Sequence, residues 1–396
     1  MHLLETIFAQ MSSINQPQRQ FIAVWLTTLT LFHGKATFRN LSRYSDFDEK
    51  TYARGFRRSF NFVEFNRLAL ATVTQGEKTL IAAMDCSFTK KSGKHTYGLG
   101  KFYNSQHGRA ETGLELSTLA IIDVDYNTAY HLSTRQTPAT AEHAEETRVD
   151  SYLEHLKQDR QALPVGVRHL VTDGYYSKMK FIDGVAQLEL FQVGKLRQDA
   201  SLRWLYQGAQ KPRGRPKQYD GKVIFTDLSR FALASLKEGI QLYTALVNCP
   251  HFKRDLRIVY LVKQQGNRIQ TALLFSTDLQ LGALDIYRFY KARFQIEFRF
   301  REAKQFTGLG DCQARQREVL HFHLNASMTA LNLIKLEDRL RSKEPSRQVI
   351  SIASWKTRKA NAHLLERFST HLGLDFSSIK STPAFEALCN YGAIAT

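Results

Sequence analysis

The chain has 396 residues, of which 43% are hydrophobic, and its 55 Lys and Arg residues outnumber its 37 Asp and Glu residues to give a net charge of +18. This length allows two or three domains with a substantial core, and the composition excludes a disordered or collagen-like chain. The positive charge predicts a polyanionic partner, most simply nucleic acid.

Neither a membrane anchor nor a metal-binding cysteine motif is evident. The most apolar early segment, FIAVWLTTLTLF at 21–32, is too short to span a bilayer and does not have the layout of a signal peptide. The four cysteines lie far apart, which is typical of a reducing compartment and argues against structural zinc. We therefore expect a cytoplasmic protein that makes no membrane contact.

Residues 1–75 are predicted to form a helical DNA-binding region. The segment TFRNLSRYSDFDEKTYARGFRRSF, 37–60, predicts a short helix, a turn at 45–48 and a second helix, with Asp46 and Asp48 as candidate N-caps. Tyr52 and Phe56 are predicted to pack inward. Four cations share the opposite face of the second helix: Lys50, Arg54, Arg57 and Arg58. This pattern suits contact with a major groove or with phosphates, although an ordinary cationic amphipathic helix shares it.

Residues 76–180 change to an α/β pattern. The apolar run TLIAAMD ends at Asp85, and further strands are predicted within 96–105 and 115–133. A helix is predicted over 137–158, and the next strand, VRHLVTD, ends at Asp173. Three strands, a helix and a fourth strand predict an α/β unit.

Asp85 and Asp173 each follow a strand core, and they would be neighbours if the first and fourth strands were adjacent. Adjacent carboxylates repel each other unless a cation lies between them, and oxygen ligands suit Mg²⁺ or Mn²⁺. A third carboxylate, Glu297, would complete a site for two ions of the kind that performs phosphodiester chemistry. For each aspartate alone, a strand-end turn is the simpler reading. Asp123 and Asp125 compete as acids, but we expect their strand to direct them away from the site.

Residues 181–284 are predicted to form a β-strand insertion in the core sheet, including a hairpin that turns near Gly266. Within it, the segment KPRGRPKQY carries Arg213 and Arg215, which suit a narrow A·T-rich minor groove, although an exposed basic loop that contacts only phosphates is the alternative. Trp204 is a candidate for stacking on an unpaired base, with a core or hairpin role as the alternative.

Residues 285–330 contain the helix of Glu297. On one continuous helix, five polar side chains fall within a stripe about 80° wide and roughly 21 Å long, which suits a polymer lying along the helix. They are Tyr290, Arg293, Glu297, Arg301 and Lys304. A solvated charged face is the alternative.

Four of these residues fit the pattern Tyr-x2-Arg-x3-Glu-x6-Lys, and two aspartates precede them in order. The chain from about 75 to 330 thereby resembles bacterial insertion-sequence DDE transposases with this Tyr-Arg-Glu-Lys signature and a β-strand insertion. The resemblance implies an RNase H-like core interrupted by a mostly β insertion, with Asp85, Asp173 and Glu297 as catalytic ligands of two Mg²⁺ or Mn²⁺ ions. It also implies that three flanking residues hold transposon-end phosphates: Tyr290, Arg293 and Lys304.

By the same resemblance the substrate is double-stranded DNA, namely terminal inverted repeats and target, which a homodimer cuts and joins. Residues 331–396 are predicted to be helical and able to dimerise, and His321 and His323 are predicted to be packing residues. Two alternatives remain: an RNase H-like nuclease or resolvase that does not join strands, and a catalytically silent domesticated DNA-binding protein.

Overall fold

The computed structural model describes residues 2–74, 76, 78–139, 147–237, 239–266, 268–341 and 350–394. Within these ranges the helices are α1 His2–Gln10, α2 Gln16–Leu31, α3 Phe38–Leu41, α4 Glu49–Gly55, α5 Phe62–Ala71, α6 Arg148–Asp159, α7 Met179–Gln187, α8 Ala283–Ala292, α9 Phe294–Phe306, α10 Arg317–Arg341, α11 Ile352–His371, α12 Phe376–Lys380 and α13 Pro383–Cys389. The strands are β1 Leu80–Lys90, β2 Gly100–Asn104, β3 Arg109–Asp123, β4 Thr128–Thr137, β5 His169–Val171, β6 Phe191–Leu196, β7 Arg203–Leu205, β8 Tyr219–Lys222, β9 Ala232–Lys237, β10 Ile240–Cys249, β11 Arg254–Gln265 and β12 Arg268–Ser276.

One mixed sheet contains all of these strands, in the order β2-β3-β1-β5-β6-β12-β11-β10-β7-β8, with β4 paired to β3 and β9 to β10. The β1–β5 and β5–β6 pairs are parallel, and the other pairs are antiparallel. The sequence predicted three strands before α6, whereas the structure has four. The segment 115–133 folds back on itself because Asn127 adopts a left-handed conformation with φ of 50° between β3 and β4.

Helices cover both faces of the sheet, and the side chains of β1 alternate between them. Ala82 and Met84 pack into a cluster that includes residues of α5, α6 and α7, whereas Ile81 and Ala83 pack into a cluster that includes residues of α8 and α9. The same alternation directs Asp85 toward the α9 face. Helix α10 is buried along most of its length because it contributes to both clusters.

The N-terminal helices differ from the prediction at one end. Asp48 caps α4 by accepting a 2.7 Å hydrogen bond from the Thr51 backbone N–H, but α4 ends at Gly55, so Arg57 and Arg58 lie beyond the helix. Helices α2 and α4 approach so closely that a Cβ on Gly55 would lie 2.0 Å from the Phe21 ring. The aromatic residues predicted to pack inward, Tyr52 and Phe56, are buried, whereas Lys50, Arg54, Arg57 and Arg58 are exposed.

The β insertion extends the core sheet, because β12 pairs with β6. The predicted hairpin is confirmed as β11 and β12, with Gly266 at φ of 59° in the turn; Asn267 lies outside the described residues. Strand β6 pairs with β5, which favours an insertion that starts after β6 rather than at residue 181. Trp204 is 8% exposed and packs between the Phe231 ring and the Arg230 guanidinium, so in this packing its indole is covered and does not offer a stacking face.

The C-terminal helices pack onto the rest of the chain. Helix α10 runs unbroken through the predicted boundary between residues 330 and 331, and α11 packs on α2. His323 is buried and bonds through Nε2 to the Gly308 carbonyl at 2.8 Å, as a packing residue does. Among the described residues, no helix has the length and apolar character needed to cross a membrane.

Candidate active site

Two carboxylates lie beside each other on neighbouring strands. Parallel pairing aligns Ala82 with Leu170 and Ala83 with Val171. Continuing this register by two residues brings Asp173 level with Asp85. Asp85 Oδ1 accepts a 2.8 Å hydrogen bond from its neighbour's backbone N–H, and Asp173 Oδ1 accepts one of 2.9 Å from Tyr175 N–H. The first strand and the strand that precedes Asp173 are therefore adjacent, which is the condition under which the two acids were expected to be neighbours.

The third carboxylate belongs to a helix that the sequence treated as continuous. The structure divides it into α8 and α9 at Arg293, where the Ile296 N–H bonds to the Arg293 carbonyl at 3.0 Å in a tighter turn. Helix α9 packs on β1. Lys304 fixes this contact because its Nζ donates to Ser87 Oγ at 2.9 Å and to the Phe88 carbonyl at 2.8 Å. Glu297 is thus held over the strand that carries Asp85.

Arg293 joins two of the carboxylates. Its Nη1 lies 3.3 Å from Asp85 Oδ2, and its Nη2 lies 2.7 Å from Glu297 Oε1. The guanidinium packs near the rings of Tyr290 and Phe294, at 5.5 and 4.7 Å from their centroids. Arg293 is only 4% exposed, and its Nε is buried without a hydrogen-bond partner among the described residues. The helical-stripe prediction placed this side chain on a DNA-facing surface, whereas here it points into the site as a counterion.

Burial and neighbouring charges together set the protonation of Asp85. Burial is the largest of the causes that raise the pKa of Asp85 to about 7; Arg293 opposes the shift, and the charges of Asp173 and Glu297 contribute to it. Burial also raises the pKa of the Tyr290 hydroxyl. A carboxyl whose pKa is raised by desolvation and by two acidic neighbours gains most when a cation arrives.

The donor set suits a divalent cation, but the arrangement in this state is not closed. Among the described residues, no group of three or more His, Cys, Asp or Glu side chains stands in an arrangement that holds a metal ion. The Arg293 guanidinium pairs with both Asp85 and Glu297, so it lies where a cation shared by these two carboxylates would lie. Asp173 Oδ2 and Glu297 Oε2 have no hydrogen-bond partner in the described part of the chain. Hard oxygen atoms left unpaired next to a strained carboxyl fit Mg²⁺ or Mn²⁺.

The other candidate residues lie elsewhere. Asp123 pairs with Leu80 at the start of β1, well away from Asp85, and accepts a 2.8 Å bond from Arg339. Asp125 bonds to Arg288 at 3.1 Å. Arg301 is exposed and lies 4.8 Å from the Phe298 ring centroid. The counterion role of Arg293 was not predicted, although its four-residue spacing from Glu297 is the usual signal for a helical ion pair.

Comparison with known families decides the class of the protein. A family model described as the transposase DDE domain matches residues 79–333. The chain belongs to this family. Comparison with curated proteins found no match. The matched segment of this DDE-domain protein begins next to β1 and ends within α10, so it includes the elements that carry Asp85, Asp173 and Glu297. Family membership supports a transposase or nuclease that acts on DNA.

Proposed function

We propose that the protein is a DNA transposase of the Tyr-Arg-Glu-Lys signature class, which cuts the ends of an insertion sequence and joins their 3′-hydroxyls to target DNA. The observation that carries the proposal is the pairing of β1 with β5, which aligns Asp85 with Asp173, below a helix from which Glu297 and Arg293 reach the same point. These three carboxylates are the groups that would hold two Mg²⁺ or Mn²⁺ ions. Such ions lower the pKa of the attacking water or 3′-hydroxyl and stabilise the leaving oxygen.

Arg293 contacts the carboxylates that would hold the ions. Its guanidinium pairs with Asp85 and Glu297, which divalent cations would also neutralise. Two bound cations would repel it, and the phosphate of a transposon end would accept its buried, unpaired Nε–H. The proposal therefore has Arg293 exchange carboxylate partners for phosphate when DNA and cations arrive together.

The residues around Arg293 support a DNA track along the same helices. Tyr290 lies beside the Arg293 guanidinium. Lys304 lies in the last turn of α9, and Arg301 is exposed on the same helix. The exposed N-terminal cations, Lys50, Arg54, Arg57 and Arg58, provide a second basic surface that suits contacts with more distant phosphates. The chain as a whole carries a net charge of +18, which favours long-range attraction to a DNA duplex.

A homodimer is part of the proposal, because two ends must be brought together. Helix α11 and the residue that follows it expose apolar side chains at four-residue spacing: Leu364 is 68% exposed, Phe368 59% and the C-cap residue Leu372 58%. Such a stripe on a charged protein is typical of an interface. A second copy of the chain is the occupant that the proposed reaction requires.

A strand-transfer assay with pre-cleaved ends tests the proposal. The ends come from inverted repeats that flank the gene, and the wild-type protein with Mg²⁺ is expected to join their 3′-hydroxyls to a plasmid. Asp173→Asn is expected to abolish cleavage and joining while it leaves binding to the ends measurable. Asp278→Asn, at a carboxylate that pairs with His169 away from the site, serves as the matched control and is expected to stay active.

Two results would favour the alternatives. Cleavage without joining of pre-cleaved ends would indicate a nuclease or resolvase. Binding to ends without either reaction, in an intact wild-type protein with Mg²⁺ or Mn²⁺, would indicate a silent DNA-binding protein. Cleavage that survives Asp173→Asn would refute the assignment of the catalytic residues.

A further inference from the structure

The loop between β7 and β8 is a preformed basic hook at the far end of the sheet. The Tyr206 N–H donates to the Gln218 carbonyl at 2.9 Å, next to the β7–β8 pair. The Gln210 side chain then bonds both the Lys217 carbonyl and the Lys217 N–H, at 2.8 and 2.9 Å. Tyr206 Oη donates to the Ala209 carbonyl at 2.8 Å. These bonds close the base of the loop, so residues 211–216, Lys-Pro-Arg-Gly-Arg-Pro, project as a unit.

The tip of this hook carries two cations that the protein does not neutralise. Every residue from 207 to 218 is exposed. Within the described chain, Arg213 and Arg215 have no acidic or hydrogen-bonding partner, whereas the neighbouring Lys217 pairs with Asp220 at 2.8 Å. A cation pair with no internal partner on a clamped loop is available for an external anion.

The backbone dihedral angles of the tip are restricted, and its central residue has no side chain. Pro212 and Pro216 fix their own φ angles and bias the preceding residues toward extended conformations. Gly214 has φ of 101°, which favours glycine, and a Cβ built there would meet no atom within 4 Å. No side chain therefore separates the two guanidiniums, and the main chain between them can approach a surface closely.

We propose that the Arg213-Gly214-Arg215 tip reads the narrow minor groove of an A·T-rich segment in the DNA that the protein binds. A·T tracts narrow this groove and deepen its negative potential, which attracts arginine. The groove floor there offers only acceptors, adenine N3 and thymine O2, to which guanidinium N–H groups donate. A G·C pair places the guanine 2-amino group in the groove, where it opposes a second donor.

The site is separate from the catalytic carboxylates. From β1 to β7 the strand order includes six steps, or about 29 Å at roughly 4.8 Å per step. That distance is close to one turn of B-DNA, about 34 Å. The inference rests on the proposed function only in that DNA is the partner, so a binding measurement in EDTA tests it without cleavage or metal.

The test uses the full chain and three fluorescent duplexes that differ in one central tract of A·T, G·C or I·C pairs. An I·C pair lacks the guanine 2-amino group, so its minor groove resembles that of A·T while its major groove resembles that of G·C. Wild-type protein is expected to bind the A·T and I·C duplexes about tenfold more tightly than the G·C duplex. Anisotropy titrations measure the three affinities.

The matched variant replaces both arginines by lysine, Arg213→Lys with Arg215→Lys, which keeps the charge. It is expected to lose the A·T preference while its affinity for the G·C duplex stays within about twofold, because lysine is more strongly hydrated and lacks the planar fork. Equal wild-type affinity for all three duplexes would overturn the proposal and leave a loop that contacts only phosphates. It would also be overturned if I·C behaved as G·C, or if the lysine variant kept the preference. None of these results bears on whether Asp85, Asp173 and Glu297 cut DNA.

Discussion

Replacing Asp85 by asparagine tests the cost of ionising this carboxyl in its desolvated position beside Asp173 and Glu297. The pKa of Asp85 is raised from 3.8 to about 7, with burial as the largest cause and the charges of Asp173 and Glu297 adding to it. Three pKa units correspond to about 4 kcal/mol of penalty on the ionised form in the folded state. Asp85→Asn removes the ionisation and keeps the shape, so it is expected to stabilise the fold at neutral pH while it abolishes catalysis.

The direction in which stability changes with pH follows from the number of protons that the folded and unfolded states bind. Between about pH 4 and 7 the folded state retains the Asp85 proton that the unfolded state has released, so the wild-type free energy of unfolding falls as pH rises through this window. The variant does not have this dependence. Its stability relative to the wild type is therefore expected to increase by about 2–3 kcal/mol from pH 5 to pH 8.

Urea denaturation in EDTA at pH 5, 6, 7 and 8 measures this difference. Asp123→Asn is the control, because Asp123 is fully buried but pairs with Arg339 outside the site, and its loss is expected to destabilise the protein. If the stability of Asp85→Asn relative to the wild type did not change with pH, or decreased, Asp85 would be a well-paired carboxylate. Its ionised form would then carry no penalty in the folded state.

Three further predictions concern the rest of the chain. Arg293→Gln removes a cation that competes with metal ions, so it is expected to raise the affinity of the DNA-free protein for Mn²⁺ by about tenfold at pH 8. The same variant is expected to weaken assembly on end DNA. Electron paramagnetic resonance measures the Mn²⁺ affinity, and an unchanged affinity would contradict the prediction. Burial lowers the pKa of Lys356 to about 7, so the folded state loses the Lys356 proton at a lower pH than the unfolded state does. The free energy of unfolding of the wild type, relative to that of Lys356→Met, is therefore expected to rise by at most about 2 kcal/mol from pH 6.5 to 8.5. Urea denaturation measures this difference. Leu364→Lys with Phe368→Lys is expected to keep the DNA-bound complex monomeric in light scattering, whereas a persisting dimer would exclude α11 as the interface.

Strands of the central sheet could be predicted because short apolar runs in the sequence indicate them locally. Apolar runs before Asp85 and Asp173 indicate two strands, and the parallel pairing of those strands aligns the two acids. The turn expected directly after Asp85 is wrong, because β1 continues to Lys90. The hairpin within 115–133 was missed because its turn lies inside an otherwise strand-like segment. Helix α4 ends at Gly55, where the chain approaches Phe21 closely, and this contact with a residue 34 positions earlier has no counterpart in a local pattern.

The direction in which the polar side chains of α8 and α9 point could not be predicted from helical periodicity alone. A helical stripe shows which side chains share a face but not which of them turn inward to a buried acid. Arg293 turns inward because Asp85 and Glu297 are within reach, and Lys304 turns toward β1 because Ser87 and a backbone carbonyl accept its protons. Asp85, Ser87 and Phe88 lie more than 200 residues from these cations in the chain, so no local pattern encodes those contacts.

The location of Mn²⁺ in crystals of the protein bound to a cleaved DNA end tests the central claim most directly, because anomalous scattering identifies the ion without reference to activity. We expect Mn²⁺ in contact with carboxylate oxygens of Asp85, Asp173 and Glu297, and the Arg293 guanidinium on a phosphate of the DNA end. Mn²⁺ bound elsewhere, with Arg293 still joining Asp85 to Glu297, would contradict the account.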